Sequence, residues 1–238
     1  DDNPHFTYFT ADYKLKYAIV QTNKAMITPS QTSTKTPTID EMYPSMVEVL
    51  NDKITPSYSI QNDIAISPKN EITISYMDWD MVNAKLTLLK QDVQTKKWSK
   101  EIVDDQKAPG WSNQIVYLDG KDDPMVLYST LGEQNLMKAE KVNGIWQKQL
   151  LLTAANGVRA AKDNNNRLII AFQYSHFEKH YGNESLRYMK QKIDGSYEVF
   201  SADPQRPTAK YFDMTVIGDK TSIAYYDNKL KQVKVYSE

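Results

Sequence analysis

Aromatic rings beside carboxylates, set in short polar turns, are the side chains of this sequence best suited to chemistry. They fall at Asp12 and Tyr13, at Asp78, Trp79 and Asp80, and at Asp227 and Asn228, with Glu133 in a similar turn. A ring can stack on the apolar face of a sugar while a carboxylate accepts hydroxyl hydrogen bonds, so this pairing suits carbohydrate binding. Trp111, after Pro109 and Gly110, reads as a loop residue and a further stacking candidate. The segment from Ser175 to Gly182 adds His176, Glu178 and His180. Imidazole and carboxylate are metal-ligand types, but this spacing is not the helical zinc motif. The segment reads instead as a lid or a partner-binding loop. The plainer reading of all these residues is solvated hairpin turns. The candidate ligand-binding residues are therefore Asp12, Tyr13, Asp78, Trp79, Asp80, Trp111, His176, Glu178 and Asp227. No catalytic residue, metal ligand or cofactor is assigned.

Other chemistries are excluded more firmly. The chain has no cysteine, which removes disulfides, thiolate metal sites and cysteine nucleophiles. His5, His176 and His180 have no Gly-x-Ser-x-Gly partner, and no phosphate-cradling glycine loop occurs. A glycosidase needs two carboxylates about 5–9.5 Å apart. The strands that carry the repeat's aromatic residues hold mostly Thr, Ser, Ile and aromatics, with Glu71 only at an edge. A formal net charge of -1 argues against general affinity for nucleic acid. No apolar run is long enough to span a membrane as a helix. Asp1 to Pro4 lack the features of a signal peptide, and the chain opens inside a repeat, so a mature form or an excised fragment is expected.

These candidates hang on a repeated unit, clearest from Asp122 to Trp146. It reads as a strand ending near Tyr128, a turn, a strand over Leu136–Lys141, the hairpin pair Asn143-Gly144, and a strand opening at Ile145. Aligned on the aromatic, the copies centre on Tyr8, Tyr58, Tyr76, Tyr128, Phe172 and Tyr225, spaced by 50, 18, 52, 44 and 53 residues. Most of these spacings suit a four-stranded propeller blade; the step from Tyr58 to Tyr76 does not. The 16 Tyr against 8 Gly and the abundance of Val, Ile and Thr favour strands, and helical periodicity is absent. Trp98 and Trp146 recur at one position and read as packing residues between blades.

The phrases around Phe6–Tyr8 with Leu15–Ala18, and around Ser222–Asp227 with Val233–Val235, resemble repeats of secreted bacterial β-propellers. The tight turns before Trp98, Trp146 and Tyr197 are similar to the Asp-box, sialidase-type class, although the full Asp-box pattern is absent. The resemblance implies an all-β fold. The expected form is a single β-propeller domain over residues 1–238, with five mostly four-stranded antiparallel blades favoured and six as the alternative. It implies no sialidase activity. The leading functional expectation is an exported, secreted or periplasmic, non-enzymatic bacterial module. It would act as a monomer that recognises a glycan or a protein through one face. A glycoside hydrolase on the same scaffold and an envelope docking protein are the alternatives.

Overall fold

The computed structural model describes residues 5–10, 14–19, 47–51, 61–79, 83–175, 184–203 and 209–238. All eighteen regular elements among them are strands, arranged as five antiparallel sheets. The chain divides into two compact units, Asp1–Tyr58 with Trp79–Val82, and Ser59–Asp78 with Asn83–Glu238.

The smaller unit holds one sheet, made of β1 (His5–Phe9), β2 (Leu15–Ile19) and β3 (Val47–Asn51). The larger holds four. The first is β4 (Asn62–Ile66), β5 (Ile72–Trp79), β6 (Ala84–Gln91) and β7 (Trp98–Asp104). The next comprises β8 (Pro109–Val116), β9 (Met125–Thr130), β10 (Leu136–Val142) and β11 (Ile145–Leu152). It is followed by β12 (Ala155–Lys162), β13 (Leu168–Ser175), β14 (Glu184–Gln191) and β15 (Tyr197–Ser201). The last sheet is β16 (Ala209–Ile217), β17 (Lys220–Asp227) and β18 (Gln232–Ser237). In the larger unit the first strands β4, β8, β12 and β16 touch in succession. Four-stranded meanders joined through their first strands are the blades of a β-propeller.

The aromatic residues that define the repeat lie on β5, β9, β13 and β17, the second strand of each sheet, and not on the innermost strand. Tyr76, Tyr128 and Phe172 are fully buried and Tyr225 nearly so. Burying each ring contributes about 2–3 kcal/mol. Pairing bears on the Tyr58–Tyr76 anomaly: β3 adds to β2, whereas β4 pairs with β5, so Tyr76 belongs to a separate sheet. Tyr58 itself lies outside the described residues. Trp111, expected in a loop, is part of β8, because the edge strand continues through a bulge between Pro109 and Asn113.

One irregularity fixes the register of the sheets. Leu136 faces Leu152 while Met137 faces Leu150, so one residue bulges out of the fourth strand. Leu86 with Asp104 and Thr87 with Ile102 repeat it, as do Leu15 with Asn51 and Lys16 with Val49. The three strands of the smaller unit are therefore the second, third and fourth of a blade, and those of the last sheet are the first, second and third.

At the three boundaries within the larger unit, a residue at the end of one sheet meets the second-strand aromatic of the following sheet. The Tyr128 hydroxyl donates to Asp104 Oδ2 at 2.7 Å, and Lys148 Nζ donates to Asp104 Oδ1 at 2.7 Å. Burial first, and then the Asp104 carboxylate, push the Tyr128 hydroxyl pKa well up. At the last boundary Tyr225 donates to Asp203 Oδ2 at 2.7 Å, with Lys234 Nζ 3.8 Å from the same oxygen. Between the third and fourth of the five sheets both partners are apolar: Leu152 packs with the cluster containing Phe172. Where the ring has a hydroxyl the partner is Asp; where it has none the partner is Leu. Each boundary thereby avoids an unpaired buried polar group.

The backbone closes tightly at the start of β8, where Lys107, Ala108 and Gly110 adopt φ of 58°, 50° and 89°. A Cβ at Gly110 would lie 3.0 Å from Leu86 Cδ1, whereas one at Gly120, with φ 75°, would meet nothing within 4 Å. Gly110→Ala is therefore expected to destabilise by about 2 kcal/mol or more, and Gly120→Ala by about 1, from backbone strain alone. Urea unfolding of both variants checks this; equal losses would remove the close approach as a constraint.

Candidate functional site

The first strands form the hub of the larger unit, and their free edges carry amides that no described strand pairs. Side chains from the preceding sheet cap them. Asp63 Oδ2 accepts from the Ile115 amide at 2.7 Å, Gln114 Oε1 from the Ala160 amide at 2.8 Å, and Ser112 Oγ from the Val158 amide at 2.8 Å. Asn113 is held by its own neighbours, with Ser75 Oγ donating to its Oδ1 at 2.6 Å and its Nδ2 donating to the Gln61 and Gly110 carbonyls.

The register shows a pattern in these contacts. Asn62, Asn113, Val158 and Phe212 face the second-strand aromatics Tyr76, Tyr128, Phe172 and Tyr225. The residues that follow, Asp63, Gln114, Arg159 and Asp213, occupy one layer of the hub, one from each sheet. Asp63 and Gln114 cap the next strand, and Arg159 Nε lies 3.4 Å from Asp213 Oδ1, with its guanidinium over the Phe212 ring at 5.9 Å. Burial raises the Asp63 carboxyl to about 6; the Ile115 and Ile64 amides and Arg159 pull it down, and Asp213 pushes it up. The layer thus holds a carboxyl that titrates near neutrality, a guanidinium, an exposed carboxylate and an amide. It can donate to and accept from a polyhydroxylated ligand. Trp111 lies on the same first strand as Gln114, half-exposed, and its indole N–H has no partner among the described residues.

Of the residues singled out from sequence, Asp12, Tyr13, Asp80, His176 and Glu178 lie outside the described residues, as does His180. Asp78 and Asp227 hold the same register, two positions past the second-strand aromatic, and each meets a lysine. Asp78 Oδ2 is 2.6 Å from Lys100 Nζ, and Asp227 Oδ2 is 2.9 Å from Lys234 Nζ. Asp227 Oδ1 also accepts from the Lys229 and Leu230 amides. Lys234 first, then the Leu230 amide, hold the Asp227 carboxyl down at about 2. Trp79 ends β5 half-buried, and Glu133 is paired with Lys107 at 3.0 Å. Among the described residues no cluster of His, Cys, Asp or Glu is placed to hold a metal, and no helix is long and apolar enough to cross a membrane.

The hub layer is hard to see in sequence because the aromatics that mark the repeat lie on the second strands, one strand away from it. A signal existed: counted back through each hairpin, Asn62-Asp63, Asn113-Gln114, Val158-Arg159 and Phe212-Asp213 fall at one register of the first strands, opposite the aromatics of the second.

No protein-family model matches the chain, and no curated protein matches it. Among solved structures it is similar to the six-bladed, fucose-recognising propeller lectin of Aleuria aurantia, with TM-score 0.58, 10% identity, and coverage of 99% of this chain and 74% of that one. It is also similar to an ulvan lyase of polysaccharide lyase family PL25, with TM-score 0.54, 14% identity, and coverage of 90% and 55%. A puromycin hydrolase gives TM-score 0.54 and 14% identity over 98% of this chain and 35% of that one. At such identities the likeness establishes the propeller and nothing finer. The resemblance to Asp-box repeats gains no family match.

Asp63 makes the site's electrostatics testable. Its folded-state pKa, about 6, lies above the ordinary 3.8. The folded state therefore holds the proton more tightly, and the contribution of Asp63 to stability is fully present below pH 4 and is lost as pH rises through 6. Asp63→Asn keeps an acceptor for the Ile115 amide and removes the titration. The variant is expected to gain on the parent by on the order of 2 kcal/mol between pH 4 and pH 7. Urea unfolding at both pH values tests this, and a constant difference would contradict it.

Proposed function

We propose that the chain is a glycan-recognition propeller that binds, without turnover, at the hub. The observation that carries this reading is the single layer of Asp63, Gln114, Arg159 and Asp213, with Trp111 on the adjoining part of β8. Convergent donors and acceptors beside a partly exposed indole match what a sugar requires: hydroxyl partners and a ring to stack on. Two of the similar solved structures, a fucose-recognising lectin and an ulvan lyase, lend support from proteins that handle saccharides. An exported setting accords with such a ligand.

One observation favours a second reading. Asp63, titrating near 6, lies within electrostatic reach of Asp213, and two carboxyls in unlike environments are the basis of acid–base pairing in glycoside-processing enzymes.

A glycan array probed with the parent chain and with Trp111→Ala separates the outcomes. The expected result is binding to a restricted set of saccharides, weakened at least about tenfold in the variant, a change of about 1.4 kcal/mol. Binding that the variant retains in full, or no binding at all, would contradict the proposal. Release of new reducing ends from a bound saccharide, abolished in Asp63→Asn, would establish the enzymatic reading instead.

A further inference from the structure

We infer that the boundary between the third and fourth of the five sheets holds an anion-binding site centred on Arg187, with Tyr174 as its floor, which takes the carboxylate of a sugar acid. It is separate from the hub layer and stands whether or not the hub takes a glycan.

The argument comes from comparing boundaries. At the last boundary Lys234, which faces Tyr225 across β17 and β18, is flanked by two carboxylates, Asp227 at 2.9 Å and Asp203 at 3.8 Å. Arg187 holds the same register in the preceding sheet, facing Phe172. The two positions that carry Asp227 and Asp203 beside Lys234 carry Tyr174 and Leu152 beside Arg187. The cation has been kept and both of its acids are gone. Elsewhere the cations in this system are matched, Lys148 by Asp104 and Lys100 by Asp78, at 2.7 and 2.6 Å.

Arg187 is half-buried and lies over the Tyr174 ring with its guanidinium carbon 4.3 Å from the centroid. Its Nε donates to Ser185 Oγ at 3.1 Å, and no carboxylate pairs with it among the described residues. A guanidinium has five N–H donors in a fixed fork, so the terminal nitrogens remain available. The ring restricts the plane of the fork and the Ser185 hydroxyl anchors one end, so its open edge is preorganised for two coplanar oxygens. A carboxylate fits that edge in a bidentate fashion.

A second unmet group belongs to the same boundary. The Ala155 amide donates to the Gln134 carbonyl at 2.7 Å, and Ala155 is the cross-strand partner of Tyr174. The Gln134 side-chain oxygen is buried and accepts no hydrogen bond. A bare anion offers it nothing, whereas a hydroxyl on the ligand would satisfy it. That favours a hydroxylated acid, such as a uronic acid, over an inorganic ion.

The test is an NMR titration of the full chain with sodium glucuronate, sodium sulfate and glucose at matched ionic strength, following the Arg187 side-chain Nε–H and the Tyr174 signals. Saturable shifts with glucuronate are expected, at least about tenfold weaker with sulfate and absent with glucose. Arg187→Met should abolish them. That variant is expected to fold, because Met137 holds this register in the preceding sheet. Arg187→Lys, which keeps the charge and loses the fork, should weaken glucuronate at least about tenfold. No saturable shift with glucuronate, or an unchanged one in Arg187→Met, would overturn the site. Equal affinity for sulfate would overturn the assignment to a sugar acid.

Discussion

The structure depends on a hydrogen bond made across sheet boundaries, from a buried second-strand tyrosine to the aspartate that the bulge places at the end of the preceding sheet. A carboxylate as buried as Asp104 is costly unless its oxygens are matched. Here both are, one by the Tyr128 hydroxyl and the other by the Lys148 ammonium. Stacked sheets share little backbone pairing, so hydrophobic contact alone would let them slide. A polar clamp with fixed geometry specifies one register, and the apolar Leu152–Phe172 boundary shows the same position filled without it.

The functional reading follows from that register. Once the sheets are fixed relative to their neighbours in the larger unit, their first strands are fixed too, and residues at one sequence offset must converge. Asp63, Gln114, Arg159 and Asp213 are dispersed in the chain but equivalent in the repeat. Their first task is structural, since two of them cap amides that a hub edge leaves unpaired. The same need brings polar groups to the hub, and burial there moves the Asp63 carboxyl toward neutrality. A binding surface thus arises where backbone edges require side-chain partners.

Much of the fold was legible in sequence because its signals are local. Turn pairs such as Asn143-Gly144 and the alternation around each buried aromatic identify strands and hairpins directly, and their recurrence implies a propeller. The spacing between Tyr58 and Tyr76 misled because it does not show that β3 turns back to β2 while β4 opens a new sheet. The site was less legible. Asp78 and Asp227 look available in sequence as acids in turns, yet each pairs with a lysine of its own sheet, Lys100 and Lys234. Trp111 was selected for the loop chemistry of Pro109-Gly110, but a bulge carries the strand through it. Arg187 is not legible in sequence, because an unmatched cation is recognised only when the acids beside its equivalents are known.

The most direct test of the account is a double-mutant cycle on the clamp, built from Asp104→Leu, Tyr128→Phe and the pair together, with stability measured by urea unfolding. The double variant recreates the Leu–Phe pairing of the next boundary. The account predicts a coupling of about 1–3 kcal/mol, with the double variant more stable than the sum of the single losses implies. Losses that simply add would show that the two side chains do not act as a unit and would contradict the clamp as the basis of the register.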